Sequence, residues 1–190
     1  MKKICATFTI INRRPVLFLD RDGVLIEDFQ YVNTREATKL VPGIVEAISM
    51  ARNSGFLIFV VTNQAGIARG YFTEEECINF NQWLMDEFTS KGAPIDQLVY
   101  CPSHPNFGLK KNCGCRKPGH GMLEYLSERW NVDLKNSLML GDKESDMLAG
   151  NNFGISSILI DSKSNIPNLV KNHIESCQKN AASEKIHVYE

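Results

Sequence analysis

Asp20-Arg21-Asp22-Gly23 stands at the end of the apolar run Val16-Leu17-Phe18-Leu19. Such a run reads as a buried strand, and the glycine after it lets the chain turn sharply. Side chains alternate along an extended chain, so positions 20 and 22 face the same way. Two like charges held side by side are costly unless a cation or a shared proton relieves them. The pair therefore asks for a metal, and it offers one nucleophile and one acid/base. Taken alone, the tetrapeptide reads equally well as an acidic helix cap or a solvated turn.

Two further apolar runs end the same way. Gly55 to Thr62 reads as a second buried strand and stops at Thr62-Asn63-Gln64, and Ser137-Leu-Met-Leu stops at Gly141-Asp142-Lys143-Glu144-Ser145-Asp146. Between them lies Cys115-Arg116-Lys117-Pro118. Strand ends carrying carboxylates, a hydroxyl and an amide, then carboxylates again, suit a phosphate and its metal. A basic pair on the last connection adds to the set. Chance explains one such ending, but three in series poorly.

The elements that must position these groups alternate. The spacing predicts strands near 16–20, 56–62, 97–100, 137–141 and 156–160. Helices are expected near 43–53, 73–90, 119–130 and 145–152, and Thr73-Glu-Glu-Glu76 carries the capping-box pattern. That alternation predicts an α/β fold, a Rossmann-like α/β/α arrangement with a mainly parallel sheet. Ligands in such folds sit at the carboxyl ends of the strands. Residues 161–185 read as a polar helix and linker, and Ile186-His-Val-Tyr189 as an edge strand. At 190 residues the chain is expected to form one domain, 1–190, with its motif core about 15–160.

Composition narrows the function. The chain is 43% hydrophobic, with 21 basic and 22 acidic residues and a net charge of −1. No basic stripe suggests nucleic acid. No run approaches the roughly 20 apolar residues a membrane span needs. Residues 4–11 read as an N-terminal extension, not a signal peptide. The cytoplasm and a monomer are the expected setting.

The motifs carry a resemblance. Asp20-x-Asp22-Gly23, Thr62, Lys117 and Gly141-Asp142-x-x-x-Asp146 follow the order of the four signatures of the haloacid dehalogenase phosphatase superfamily. More specifically, Phe18-Leu-Asp-Arg-Asp-Gly23, Val61-Thr-Asn-Gln-Ala-Gly-Ile-Ala-Arg-Gly70, Cys113-Gly-Cys-Arg-Lys-Pro118 and Gly141-Asp-Lys143 resemble the D-glycero-D-manno-heptose-1,7-bisphosphate 7-phosphatase family. The related histidinol-phosphate phosphatases share the aspartates and cysteine loop but match Gly66 to Gly70 less well. About 40 residues separate Asp22 from Thr62, so no large cap domain is expected. An open site would also admit extended substrates.

The resemblance implies Mg²⁺ held by the Asp20 and Asp142 side chains and the Asp22 main-chain carbonyl. It implies Asp20 as nucleophile, Asp22 as acid then base, and Thr62 and Lys117 as stabilisers of the phosphoryl group. Asp146 is expected to order metal-bound water. By matching, Asp28, Phe29, Gln30, Tyr31, Thr62, Asn63, Gln64, Ala65, Arg116 and Lys117 contact the substrate, a small sugar bisphosphate. Arg69 and Tyr71 are further candidates. Val24 replaces a frequent family threonine, without consequence for the chemistry.

Residues 102–118 form a long irregular loop that needs its own stabiliser. Cys101, His104, Cys113 and Cys115 supply ligands of the types zinc prefers, and four protein ligands make a structural site. The alternative is a set of reduced buried thiols and a surface histidine. Ser103 occupies the family's histidine position. His104 is adopted as the fourth ligand, while a three-thiolate site with water, or a weakened site, are the alternatives. The competing functions are a histidinol-phosphate phosphatase and a catalytically silent, zinc-stabilised binding domain.

Overall fold

The structure is a computed structural model, and it describes residues 13–28, 34–36, 38–108 and 113–186. Five strands, β1 (Val16–Leu19), β2 (Leu57–Asn63), β3 (Gln97–Cys101), β4 (Leu138–Gly141) and β5 (Ser156–Leu159), form one sheet in the order β3-β2-β1-β4-β5. Every pairing is parallel, with Phe18 opposite Phe59 on one side and Met139 on the other. All five expected strands are present.

Alternation along the strands builds two cores. Leu17, Leu19, Ile58, Val60, Leu138 and Leu140 face α1 (Ile44–Asn53), α3 (Glu74–Ser90) and α6 (Ile166–Ile186). Their neighbours Val16, Phe18, Leu57, Phe59, Val61 and Met139 face α4 (Gly121–Arg129) and α5 (Glu144–Phe153). A sheet buried on both faces explains why these strands read as unbroken apolar runs. The fold is thus the expected three-layer α/β/α arrangement.

Helix α3 opens as its sequence requires. Thr73 Oγ1 accepts from the Glu76 N–H, and Glu76 accepts from the Thr73 N–H in return. Two elements differ from expectation. A five-residue helix, α2 (Ala65–Arg69), follows β2 directly, and α6 runs unbroken from Ile166 to Ile186. Ile186 ends that helix, while residues 187–189 of the expected edge strand lie outside the described residues.

The order β3-β2-β1-β4-β5 means that the chain leaves β1 for β2 on one side and returns to β4 on the other. The carboxyl ends of β1 and β4 therefore flank a topological switch point, where such sheets bind ligands. Asp20 and Asp142 sit on those two ends. Among the described residues between Gly23 and Phe56, α1 is the only named helix or strand, so no cap element stands there. No helix among the described residues is long and apolar enough to cross a membrane.

Candidate active site

Asp20 leaves β1 buried, and its N–H donates to the Leu140 carbonyl of β4. Its Oδ1 accepts from the Arg21 N–H at 2.7 Å and lies 2.9 Å from Lys117 Nζ. Lys117, almost fully buried, also lies 2.6 Å from Asp146 Oδ1 and donates to the Val61 carbonyl at 2.8 Å. An ammonium has three donors. Here they meet two carboxylates and one strand carbonyl. Asp146 Oδ2 caps α5 by accepting from the Lys143 N–H, so this buried carboxylate ties the helix to the lysine. The expectation that Asp146 chiefly orders water understates this part.

Asp20, Asp142 and Asp146 each bring a carboxylate oxygen within 4.8 Å of the others. Burial, followed by the neighbouring Asp20, pushes the Asp146 carboxyl above its usual range. Asp142 is pushed up to about 6, first by burial and then by Asp20 and Asp146, against a lowering from Lys143. Its Oδ1 is buried and accepts no hydrogen bond. A buried acceptor without a donor is costly. A hard cation among three carboxylates answers that cost, and oxygen donors suit Mg²⁺.

Gly23 makes this approach possible. Its φ of +84° lies in the left-handed region, and a Cβ there would run into the Asp142 carboxylate.

Asp22 is part-buried and points at Arg21. Arg21 Nη2 is 3.0 Å from Asp22 Oδ1, and Gln64 Nε2 donates to Oδ2 at 2.8 Å. The same amide donates to Thr62 Oγ1 at 2.8 Å. Thr62 is itself buried near the end of β2, and because its Oγ1 accepts from Gln64 its own hydroxyl proton is left to donate elsewhere.

Several residues expected to contact substrate also make contacts within the frame. The Asn63 amide pairs with the Lys117 main chain in both directions, at 3.0 and 3.1 Å, and so fixes the lysine. Gln64 is buried against Asp22, Thr62 and Arg21. Arg69 stacks on Phe107 and lies 3.0 Å from His104 Nε2. Arg116 Nη1 donates to the Ser103 carbonyl, which holds it to the loop beside the site. Asp28 is exposed and pairs with Lys143 at 3.1 Å, and Lys143 also reaches Asp142 at 3.5 Å. Ala65 opens α2, and Tyr71 is exposed. Phe29, Gln30 and Tyr31 lie outside the described residues.

Sequence reasoning missed Lys143, Arg21 and Asn81. Lys143 was visible in Gly141-Asp-Lys143 but carried no role there. Arg21 stands between the two aspartates, and only its fully buried side chain reveals its importance. Asn81 gives no signal in sequence, because its partner Arg21 lies 60 residues away.

In the long loop, the sulfurs of Cys101, Cys113 and Cys115 come together within 4.8 Å. Cys113 and Cys115 close as a disulfide, with Cys101 Sγ 3.2 Å from each. This differs from the expected set of separate thiols. The Cα separation of 5.2 Å lies within the range that permits a bridge. His104 does not join the group. Its Nδ1 accepts from the Asn106 N–H and its Nε2 faces Arg69. Burial, then the Arg69 and Arg116 charges, lower its pKa. The four-ligand set with His104 is thus corrected to three sulfurs.

Comparison with known proteins agrees with this geometry. The HAD-hydrolase-like family model matches residues 114–177. The D-glycero-beta-D-manno-heptose-1,7-bisphosphate 7-phosphatase of Rhodopseudomonas palustris is 42% identical over 146 residues, covering 75% of this chain and 81% of the relative. The crystal structure of a candidate HAD-like phosphatase from Mesorhizobium loti superposes with a TM-score of 0.78 at 31% identity, covering 90% of each chain. The D,D-heptose 1,7-bisphosphate phosphatase of B. bronchiseptica, solved with magnesium and phosphate, superposes with a TM-score of 0.68 at 29% identity, covering 76% of this chain and 79% of that one. With a relative this similar spanning most of its length, the chain belongs to the D-glycero-D-manno-heptose-1,7-bisphosphate 7-phosphatase family of haloacid dehalogenase-like hydrolases.

Proposed function

We propose that this protein is a Mg²⁺-dependent phosphatase that removes the C7 phosphate of D-glycero-D-manno-heptose 1,7-bisphosphate, leaving heptose 1-phosphate. The carrying observation is the buried Lys117 ammonium 2.9 Å from Asp20, on the strand end that faces Asp142 across the switch point. The family's members act on this sugar bisphosphate, and the balanced net charge supports a free small molecule over nucleic acid. We place the enzyme in the cytoplasm as a monomer, in lipopolysaccharide-type heptose synthesis.

Asp20 attacks the C7 phosphorus, and the phosphorus–oxygen bond to the sugar breaks. The product of this half is an aspartyl-phosphate. Asp22 gives its proton to the departing sugar oxygen, then takes one from the water that hydrolyses the intermediate. Such transfers contribute roughly 10²- to 10⁴-fold. Lys117 balances the Asp20 charge and the phosphoryl oxygens, and Thr62 donates to one of them. The Asp20 and Asp142 side chains and the Asp22 main-chain carbonyl would hold Mg²⁺, which cancels repulsion between carboxylate and phosphate when bound.

The Asp142 carboxyl predicts how the metal requirement varies with pH. Because burial raises it to about 6, protons compete with the metal below that pH. The sign is therefore that the half-saturating Mg²⁺ concentration rises as pH falls. An increase of about tenfold is expected between pH 7 and pH 5, because displacing one proton costs about tenfold in affinity per pH unit below the pKa. Phosphate release measured across Mg²⁺ titrations at both pH values checks this. An equal requirement at both would contradict it.

Substrate choice rests on Arg116. It is anchored beside Lys117, where a second phosphate of a bisphosphate would receive a charged hydrogen bond. Such a bond is worth roughly 1.5–3 kcal/mol, or about 10- to 150-fold. Histidinol phosphate brings a cationic amine instead. A panel of phosphomonoesters assayed with and without Mg²⁺ should show kcat/KM for the heptose bisphosphate about tenfold or more above that for histidinol phosphate. Arg116→Ala should narrow the gap by weakening the bisphosphate. A wild-type preference for histidinol phosphate would overturn the substrate assignment and leave the aspartate chemistry in place.

We propose that the three sulfurs, as reduced thiolates, would hold a structural Zn²⁺ with water in the place expected of His104. Cys101 Sγ lies 3.2 Å from the sulfurs of both Cys113 and Cys115. Three sulfurs in mutual reach are a donor set that zinc favours. Protein purified without chelator should carry about one zinc per chain, retained in His104→Ala and lost in Cys113→Ala. Elemental analysis finding no zinc, together with an oxidised Cys113–Cys115 pair, would refute the site.

A further inference from the structure

Arg21 is among the largest fully buried side chains of the molecule, yet the reaction as described above does not use it. A guanidinium keeps its charge at every accessible pH, so its burial must be offset by what surrounds it. Nε lies 3.3 and 3.2 Å from the two oxygens of Asp22, and Nη2 is 3.0 Å from Oδ1. Nη2 also donates to Gln64 Oε1 at 3.0 Å, and Nη1 to Asn81 Oδ1 at 2.8 Å. The Phe80 ring covers the guanidinium at 5.1 Å. Asn81 and Phe80 belong to α3, so this helix anchors the guanidinium.

The fork has only donors, so the Gln64 oxygen must turn toward it. The Gln64 amide nitrogen is then turned toward Asp22 Oδ2. Asp22 is thus held from two directions, and both holds depend on Arg21. An apolar side chain of similar volume would fill the same space without the cost of burying a charge. Charge-assisted, near-bidentate geometry of this kind fixes orientation as well as distance.

We propose that Arg21 is a positioning residue: anchored by Asn81 and Phe80, it fixes the carboxylate of Asp22 in the orientation needed for proton transfer. This rests on the acid/base role assigned to Asp22 above. Loss of Arg21 should leave the Asp20 attack largely intact where the leaving group needs no proton, and should cripple the steps that need one.

The test compares the wild type with Arg21→Met and Asn81→Ala, using rapid quench on 4-nitrophenyl phosphate and on heptose 1,7-bisphosphate. With the aryl phosphate, both variants should release about one equivalent of 4-nitrophenolate at a rate within tenfold of wild type. Turnover should then slow, by on the order of 10²-fold in Arg21→Met and tenfold in Asn81→Ala, in line with the range for proton transfer. On the heptose bisphosphate the first turnover itself should slow by the same factors, without a rise in KM. If burst and steady state fall together on both substrates, or KM rises at unchanged kcat, Arg21 is only structural and the proposal fails. Asn81→Ala keeps the charge in place and carries the same test if Arg21→Met does not fold. A wild type without Mg²⁺-dependent release from either substrate would overturn the functional reading and this inference together. A working wild type with non-selective variants overturns the inference alone.

Discussion

Asp20→Asn should lower phosphate release by on the order of 10⁴-fold or more, as loss of a nucleophile does. The amide matches the carboxylate in shape, and its oxygen can still accept from the Arg21 N–H as Asp20 Oδ1 does. What it loses is the charge and the ability to attack phosphorus. The variant should nonetheless fold, because Lys117 keeps Asp146 as a partner at 2.6 Å and the Val61 carbonyl at 2.8 Å. Removing one carboxylate also relieves the other two, since Asp20 raises the carboxyls of both Asp142 and Asp146. Both should become more acidic in the variant. Trapping with radiolabelled substrate and acid quench should show phosphoenzyme in the wild type and none in Asp20→Asn. Near-wild-type turnover from a deamidation-free sample would remove Asp20 from the nucleophile's place.

Much of this arrangement is legible in the sequence because apolar runs and polar punctuation coincide. Strands β1, β2 and β4 are buried on both faces, so their runs are unbroken, and each ends in the group that it delivers. Helix α3 announces itself through Thr73 and Glu76, a local pattern whose hydrogen bonds the structure contains. Helix α2 leaves no such trace. Five residues are too few to show a period, and Gly66 sits within it against Phe72. The polar stretch after residue 161 reads as a helix and linker but conceals the full length of α6, because its buried contacts are sparse: Ile166, Val170 and Ile174 sit in the core, with Leu169 and Cys177 packed at its edge.

The site divides along the same line. Residues that belong to their own motif, such as Asp20, Thr62, Lys117 and Asp142, stand out in the sequence through strand ends and the family resemblance. Residues whose role depends on a distant partner do not. Asn63 ends β2 and Gln64 follows it, and both read as substrate contacts, yet their amides are committed to Lys117 and to Asp22 with Arg21. Their partners lie far along the chain, and one-dimensional spacing does not show which side of a turn an amide faces. His104 fails for a similar reason. Its residue type beside the three cysteines suggested a ligand, but the loop turns its ring nitrogens to Asn106 and Arg69.

Lys117→Met should damage both folding and catalysis, and for one reason. The lysine is the cation that lies between Asp20 and Asp146, and both it and Asp146 are essentially excluded from water. Removing one partner of a buried pair leaves an uncompensated charge, which costs about 3–5 kcal/mol. Asp146 already has its carboxyl raised by burial, with Lys117 opposing that rise. Without the lysine its pKa climbs further above the unfolded value. A carboxyl raised on folding binds more protons in the native state, so its stability contribution is greatest at low pH and is lost as pH rises. The variant should therefore lose stability relative to wild type more steeply at pH 8 than at pH 5. Catalysis should fall independently, by about 10²- to 10³-fold at pH 5 to 6 where the variant remains folded, the usual loss when one stabiliser of transition-state charge is removed. Denaturant unfolding at both pH values, with turnover measured on the folded fraction, separates the two effects. A variant whose unfolding free energy matches wild type at pH 8 would show that Lys117 does not balance the buried aspartates.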